Sequence, residues 1–188
     1  MLCAGVVSVA TPVSLIAAWP AVVAQVPDAR LCFVGGGERL DQLRALAAAS
    51  PVAGSIEVLG RLAEDDVVAL HRRSRLFAML SNVEGFGLVF AEAMSHGAPV
   101  LTADADASTE VNLDGETGFA VDRADLARVV DRIVAVLTDQ RLFESLSRRA
   151  YDRWTTEFCF SAFQRRFLGA AAAAGLVAPI REPASVAH

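Results

Sequence analysis

Short, largely apolar runs recur along the chain at Leu31–Val34, Ile56–Gly60, Arg75–Leu80 and Pro99–Ala103. Longer stretches that mix charges with apolar residues separate them. This alternation narrows the possible folds sharply. A strand that is apolar on successive residues must be covered on both faces, and intervening helices are what cover it. Leu2–Val9 and Phe119–Val121 read as the first and last strands of the series. Val13–Val26, Glu38–Ser50, Glu64–Arg73 and Gly87–His96 read as helices, with Pro20 expected to kink or end the first. Gly97 and Pro99 stop the fourth. After residue 121 the rhythm changes to three consecutive helices, Arg123–Thr138, Gln140–Arg153 and Phe160–Ala174. The expected fold is α/β: a single doubly wound, Rossmann-like parallel sheet with C-terminal helices. Residues 1–168 are expected to form the domain and residues 169–188 a flexible tail. Ligands of such sheets bind at the carboxyl ends of the strands.

Composition removes several functional classes. The chain of 188 residues is 54% hydrophobic, too apolar for a disordered segment. No run reaches the ~20 apolar residues of a membrane span, and the start lacks the basic residues of a secretory signal. The net charge of −5 argues against nucleic acid as a partner. All 17 basic residues are Arg, so neither a Schiff base nor a phosphate-binding Lys can come from this chain. Cys3, Cys32 and Cys159 form no metal-ligand spacing and no disulfide framework, which fits a reduced, cytoplasmic setting.

The segment Ser81–Val100 carries the functional signal. Glu84 lies in a loop after a strand, and Gly85 and Gly87 allow sharp bends and close approach of a ligand. A helix starting near Gly87 points the amides of Gly87, Leu88 and Val89 out of its first turn, a ready site for phosphate. Glu92, about one turn on, can accept paired hydrogen bonds from adjacent hydroxyls such as those of a ribose. A diphosphate at the helix end with a carboxylate on either side describes a nucleotide-sugar.

The string Ser-Asn-Val-Glu-Gly-Phe-Gly-Leu-Val-Phe-Ala-Glu-Ala-Met-Ser-His-Gly-Ala-Pro-Val resembles the donor-binding half of GT-B fold glycosyltransferases of the family 4, or group 1, type. Their hallmark pairs two glutamates, matched here by Glu84 and Glu92. Val34-Gly35-Gly36-Gly37, Val58-Leu59-Gly60-Arg61, Glu110, Asp114-Gly115 and Thr117-Gly118 extend the likeness, which covers about Gly5 to Leu168. The resemblance implies that Glu84, the candidate catalytic residue, contacts the donor sugar. It implies that Gly85, Phe86 and Gly87 offer amides to sugar and phosphate, and that Leu88 and Val89 cap the diphosphate. Glu92 would hold the ribose, and Arg61 would sit beside the base, mostly through its backbone. The implied substrate is a UDP- or GDP-sugar, transferred with retention, with no cofactor and no metal.

The chain also departs from that pattern. The resemblance expects a second, acceptor-binding half, which this chain does not carry. It also expects an Arg and a Lys-Gly early in this half to neutralise the leaving diphosphate. Aligned on Gly5, Val6 and Thr11-Pro12 stand at those places. Asp106-Ala107 replaces a glycine pair before Glu110. The isolated chain is therefore expected not to turn over, and a non-catalytic interaction or sensor module is the alternative. Other features read as structural. Gly35–Gly37 lacks the further glycine of a dinucleotide fingerprint. His96 reads as a helix-end cap, His71 and the Arg72, Arg73, Arg75 run as solvated, and Trp19 and Trp154 as packing residues. Phe158, Phe160, Phe163 and Phe167 have the spacing of a buried stripe. Any exposed part of it would mark a separate acceptor-binding domain or self-association through the C-terminal helices.

Overall fold

The computed structural model describes residues 2–5, 10–81, 87–104 and 107–176. Six strands, β1 (Leu2–Gly5), β2 (Leu31–Val34), β3 (Ile56–Gly60), β4 (Leu76–Met79), β5 (Val100–Ala103) and β6 (Gly118–Val121), form one sheet in the order β3-β2-β1-β4-β5-β6. Every pairing is parallel. This is the doubly wound order, and its switch point falls between β1 and β4.

Burial along the strands follows from that order. All four residues of β4 and all four of β5 are buried, because both strands are central and covered on both sides. Edge strand β3 leaves Glu57 exposed. Successive side chains of a strand point to opposite faces, and β4 divides accordingly between two cores. Leu76, Ala78 and Leu80 join the larger core, with Leu15, Trp19 and Val22 of helix α1 (Ala10–Gln25) and Val129, Ile133 and Val136 of α6 (Leu126–Thr138). Phe77 and Met79 join the smaller, with Phe90, Ala93 and Met94 of α4 (Leu88–Ser95). Helices α2 (Leu40–Ala48), α3 (Glu64–Arg73) and the short α5 (Ser108–Val111) complete the crossovers.

Pro20 does not end α1, which runs on to Gln25. The lost backbone bond costs ~3 kcal/mol, and the complete burial of Leu15, Trp19 and Val22 around it outweighs that cost. The Trp19 indole donates to Ser55 Oγ at 2.9 Å inside the core. Asp125 and Asp139 begin α6 and α7 (Gln140–Arg153) by accepting from the amides of Arg128 and Leu142, each at 3.0 Å. Arg75 is not a free surface charge. It donates to the Val136 carbonyl and to Gln140 Oε1, with its guanidinium 4.3 Å above the Phe143 ring.

A π-helical turn, Trp154–Phe158, links α7 to α8 (Phe160–Ala173), which continues past residue 168. The aromatic spacing does not produce a buried stripe. Trp154 and Phe158 pack on the smaller core, whereas Phe160, Phe163 and Phe167 are 77%, 54% and 60% exposed. Cys159, extended at ψ 155°, breaks the helix between the two sets, so α8 starts in a new direction. No helix among the described residues is long and apolar enough to cross a membrane.

His71 is buried rather than solvated, at the amino edge of the sheet where α3 leads into β4. Its ring stacks 5.8 Å from that of His96 and lies 5.5 Å from Phe77. Its Nδ1 has no hydrogen-bond partner among the described residues. Burial, and secondarily the neighbouring His96, lower its pKa to about 4. An unfolded His titrates near ~6.5. Above that pH both states hold it neutral. As pH falls from ~6.5 towards 4, the unfolded chain takes up a proton that the fold refuses, so stability declines and then levels off. The expected loss is about 3 kcal/mol. Urea denaturation between pH 7.5 and 4.5 measures it, and His71→Phe is expected to remove that part of the slope.

Candidate functional site

Helix α4 is the next described element after β4, the strand beside the switch point. Gly87 makes this start possible. Its backbone is left-handed, with φ +78° and ψ +48°. A Cβ there would come within 2.5 Å of the fully buried Phe90 ring. The Phe90 amide already donates to the Gly87 carbonyl at 2.9 Å. The amides of Leu88 and Val89 come earlier in the turn, where helix geometry supplies no acceptor.

The side chains on this turn divide by face. Phe90, Ala93 and Met94 enter the smaller core, and Val89 packs partly against it. Leu88 is 73% exposed, and Glu92, one turn later on the same face, is also exposed. An exposed leucine beside outward-facing amides and a carboxylate is a surface a ligand could cover.

The loops after β2 and β3 form the other end of the same edge. The Gly35 amide donates to the Gly60 carbonyl at 2.8 Å, tying the two loops together. Arg61 follows, exposed, with its side chain against the Gly36 backbone. The fold thus gathers Gly87, Leu88, Val89 and Glu92 on one helix start and holds Arg61 three strands away along the same edge. Glu84, Gly85 and Phe86 lie outside the described residues, as do Val6 and Asp106. Thr11 and Pro12 fall in the first turn of α1, at the carboxyl end of β1.

Behind this edge is a polar cluster that the sequence alone did not reveal. Buried Asn112 donates from Nδ2 to Thr102 Oγ1 at 3.0 Å and to the Phe119 carbonyl at 2.9 Å. The Thr117 hydroxyl donates to Asn112 Oδ1 at 3.0 Å and accepts from the Leu113 amide at 2.9 Å. The cluster ties β5 to β6, so Thr117 and Gly118 serve the scaffold. Arg153 of α7 donates to the carbonyls of Glu110 and Val111 at 2.6 and 2.8 Å, fixing α5. The dense run Asn112–Gly118, rich in turn-forming residues, was the available signal.

Residues 6–153 match the family described as glycosyl transferases group 1. The chain belongs to this family. As a group 1 member it is 34% identical over 134 residues to the GDP-mannose-dependent alpha-(1-6)-phosphatidylinositol monomannoside mannosyltransferase of Mycobacterium tuberculosis, covering 68% of this chain and 35% of that protein. The group 1 chain thus spans about a third of the length of that curated relative. Its fold superposes on the C-terminal domain of a group 1 protein from Francisella tularensis with a TM-score of 0.74 and 23% identity, covering 85% of this chain and 86% of that one. It also superposes on the pneumococcal O-GlcNAc transferase GtfA, solved in complex with UDP and GlcNAc, with a TM-score of 0.78 and 17% identity, covering 92% of this chain and 35% of that one. The domain is one Rossmann-like half of the GT-B fold.

Proposed function

We propose that this group 1 domain binds the nucleotide-sugar donor of a retaining glycosyl transfer. The start of α4 carries the reading: outward amides at Leu88 and Val89 at the switch point of the sheet, with exposed Glu92 one turn on. The Gly87, Leu88 and Val89 amides and the helix dipole hold the diphosphate. Glu92 accepts from the ribose hydroxyls, and Arg61 flanks the base. Glu84, with the Gly85 and Phe86 amides, contacts the sugar. The donor carries UDP or GDP; the GDP-mannose dependence in the name of the mycobacterial relative supports a guanine nucleotide. Amides and the helix dipole, rather than a metal or cofactor, balance the phosphate charge. The setting is cytoplasmic.

The acceptor site belongs to another domain or chain, so residues 1–188 alone are not competent for turnover. The exposed face of Phe160, Phe163 and Phe167 supports contact with such a domain or with a second copy. Thr11-Pro12, standing where the resemblance expects Lys-Gly, favours a second reading: a sensor or interaction module that keeps donor affinity without transfer.

Calorimetric titration with UDP, GDP, UDP-glucose and GDP-mannose tests donor binding. At least one is expected to bind. Glu92→Ala should weaken it about tenfold, the effect of losing hydrogen bonds to a charged group. Absence of heat with all four overturns the proposal, and an unaltered affinity in the variant removes Glu92 from it.

A further inference from the structure

We infer that Gly36 is a positioning residue: by lacking a side chain it lets Arg61 lie across the loop after β2, where the guanidinium contacts the base of a nucleoside diphosphate. This rests on the donor site proposed above and adds a residue and a side-chain role to it.

The contact is specific. A Cβ on Gly36 would stand 2.8 Å from Arg61 Nε, 2.9 Å from Cγ and 3.3 Å from Cδ. The middle of the arginine side chain therefore rests on the Gly36 main chain. At Gly37, one residue on, an added Cβ meets nothing within 4 Å. Both loops are fixed beneath the contact, because the Gly35 amide is bonded to the Gly60 carbonyl and Gly60 turns the chain at φ +71°. With the backbone tied, the space over residue 36 decides where the guanidinium goes.

Its position suits a base. In the order β3-β2-β1-β4, the loop after β3 lies three strand spacings from the start of α4. That is ~14 Å along the edge, the reach of an extended nucleoside diphosphate whose phosphates sit on the α4 amides. A planar guanidinium stacks on an aromatic base or forks towards its edge, and its hydration is weak enough to permit either. The clash that an alanine would introduce at 36 involves side-chain atoms of the exposed Arg61 from Cγ to Nε, which rotation about χ1 and χ2 can move away. Gly36→Ala should therefore displace Arg61 and leave the fold intact.

The test is a double-mutant cycle on the full chain, with GDP and UDP as titrants in calorimetry. Gly36→Ala and Arg61→Ala are each expected to weaken the nucleotide that binds about tenfold. In the Arg61→Ala background, Gly36→Ala should have no further effect, because the side chain it displaces is gone. Gly37→Ala should bind like the unaltered chain, and all variants should melt within a few degrees of it. Unaltered affinity in Gly36→Ala, additive losses in the double variant, or an equal loss in Gly37→Ala each overturn the inference while leaving the donor site standing. If the unaltered chain binds neither nucleotide, the donor site fails first and the inference falls with it.

Discussion

Gly118→Ala is expected to destabilise the domain by about 4 kcal/mol or more, the range of severe backbone and core disruptions. A Cβ at this position would lie 1.8 Å from the Val100 carbonyl oxygen and 2.7 Å from the Val100 nitrogen. Neither is the end of a movable side chain. Both belong to β5, and Gly118 is paired with Val100 in the parallel ladder. Relief would require β6 to pull away from β5. That would break the bonds from Asn112 to Thr102 and to the Phe119 carbonyl, leaving buried polar groups unsatisfied. For a domain of this size the loss corresponds to roughly 8–16 °C in melting temperature, read by differential scanning calorimetry. Gly115→Ala is a useful contrast, since a Cβ there meets nothing within 4 Å and only the left-handed backbone, φ +75°, resists it. A melting temperature for Gly118→Ala within 2 °C of the unaltered chain would contradict the steric account.

The second large effect concerns catalysis. Purified alone, the 188-residue chain is expected to transfer no sugar and to hydrolyse no donor above the uncatalysed level. The resemblance calls for an Arg and a Lys at the sequence positions of Val6 and Thr11. Thr11 lies in the first turn of α1, across the switch point from the α4 amides. A preorganised donor aimed at developing charge contributes ~10²–10³ in rate, so two neutral replacements remove ~10⁴ or more. An acceptor-binding half outside residues 1–188 would supply the positioning that these residues alone do not. Product release from UDP-glucose and GDP-mannose, followed by coupled assay or mass spectrometry, checks this. Turnover by the lone chain would show that the amides at α4 suffice for leaving-group stabilisation.

The architecture was largely legible because parallel strands buried on both faces leave an unmistakable trace. Leu76–Met79 and Val100–Ala103 are apolar throughout except for Thr102, and both are interior strands of the sheet. Thr102 shows where such reading stops. It sits fully buried because Asn112, ten residues later, meets its hydroxyl, and no local pattern announces that partner. His71 was misread for a related reason. Beside Arg72 and Arg73, at the basic end of an acidic-to-basic helix, it looks solvated, yet α3 turns that one position inward against Phe77. The phenylalanines form no single buried stripe because the extended Cys159 ends one helix before Phe160 begins the next, and a helical spacing holds only within one helix.

Of the candidate site, the helix start near Gly87 was legible in the sequence, and α4 begins there with Leu88 and Glu92 exposed. The Gly36–Arg61 contact was not legible. It joins the ends of two strands that are neighbours in the sheet but 25 residues apart in the chain. Only the finished sheet shows that one glycine makes room for one arginine.

The imidazole pair occupies the rim of the sheet opposite the proposed crevice. Mild acid therefore strains the scaffold from behind and leaves the phosphate-facing amides without a new charge beside them. An affinity profile collected across that pH interval has to be read together with the folded fraction at each point, or a melting curve will pass for a titration of the binding groups.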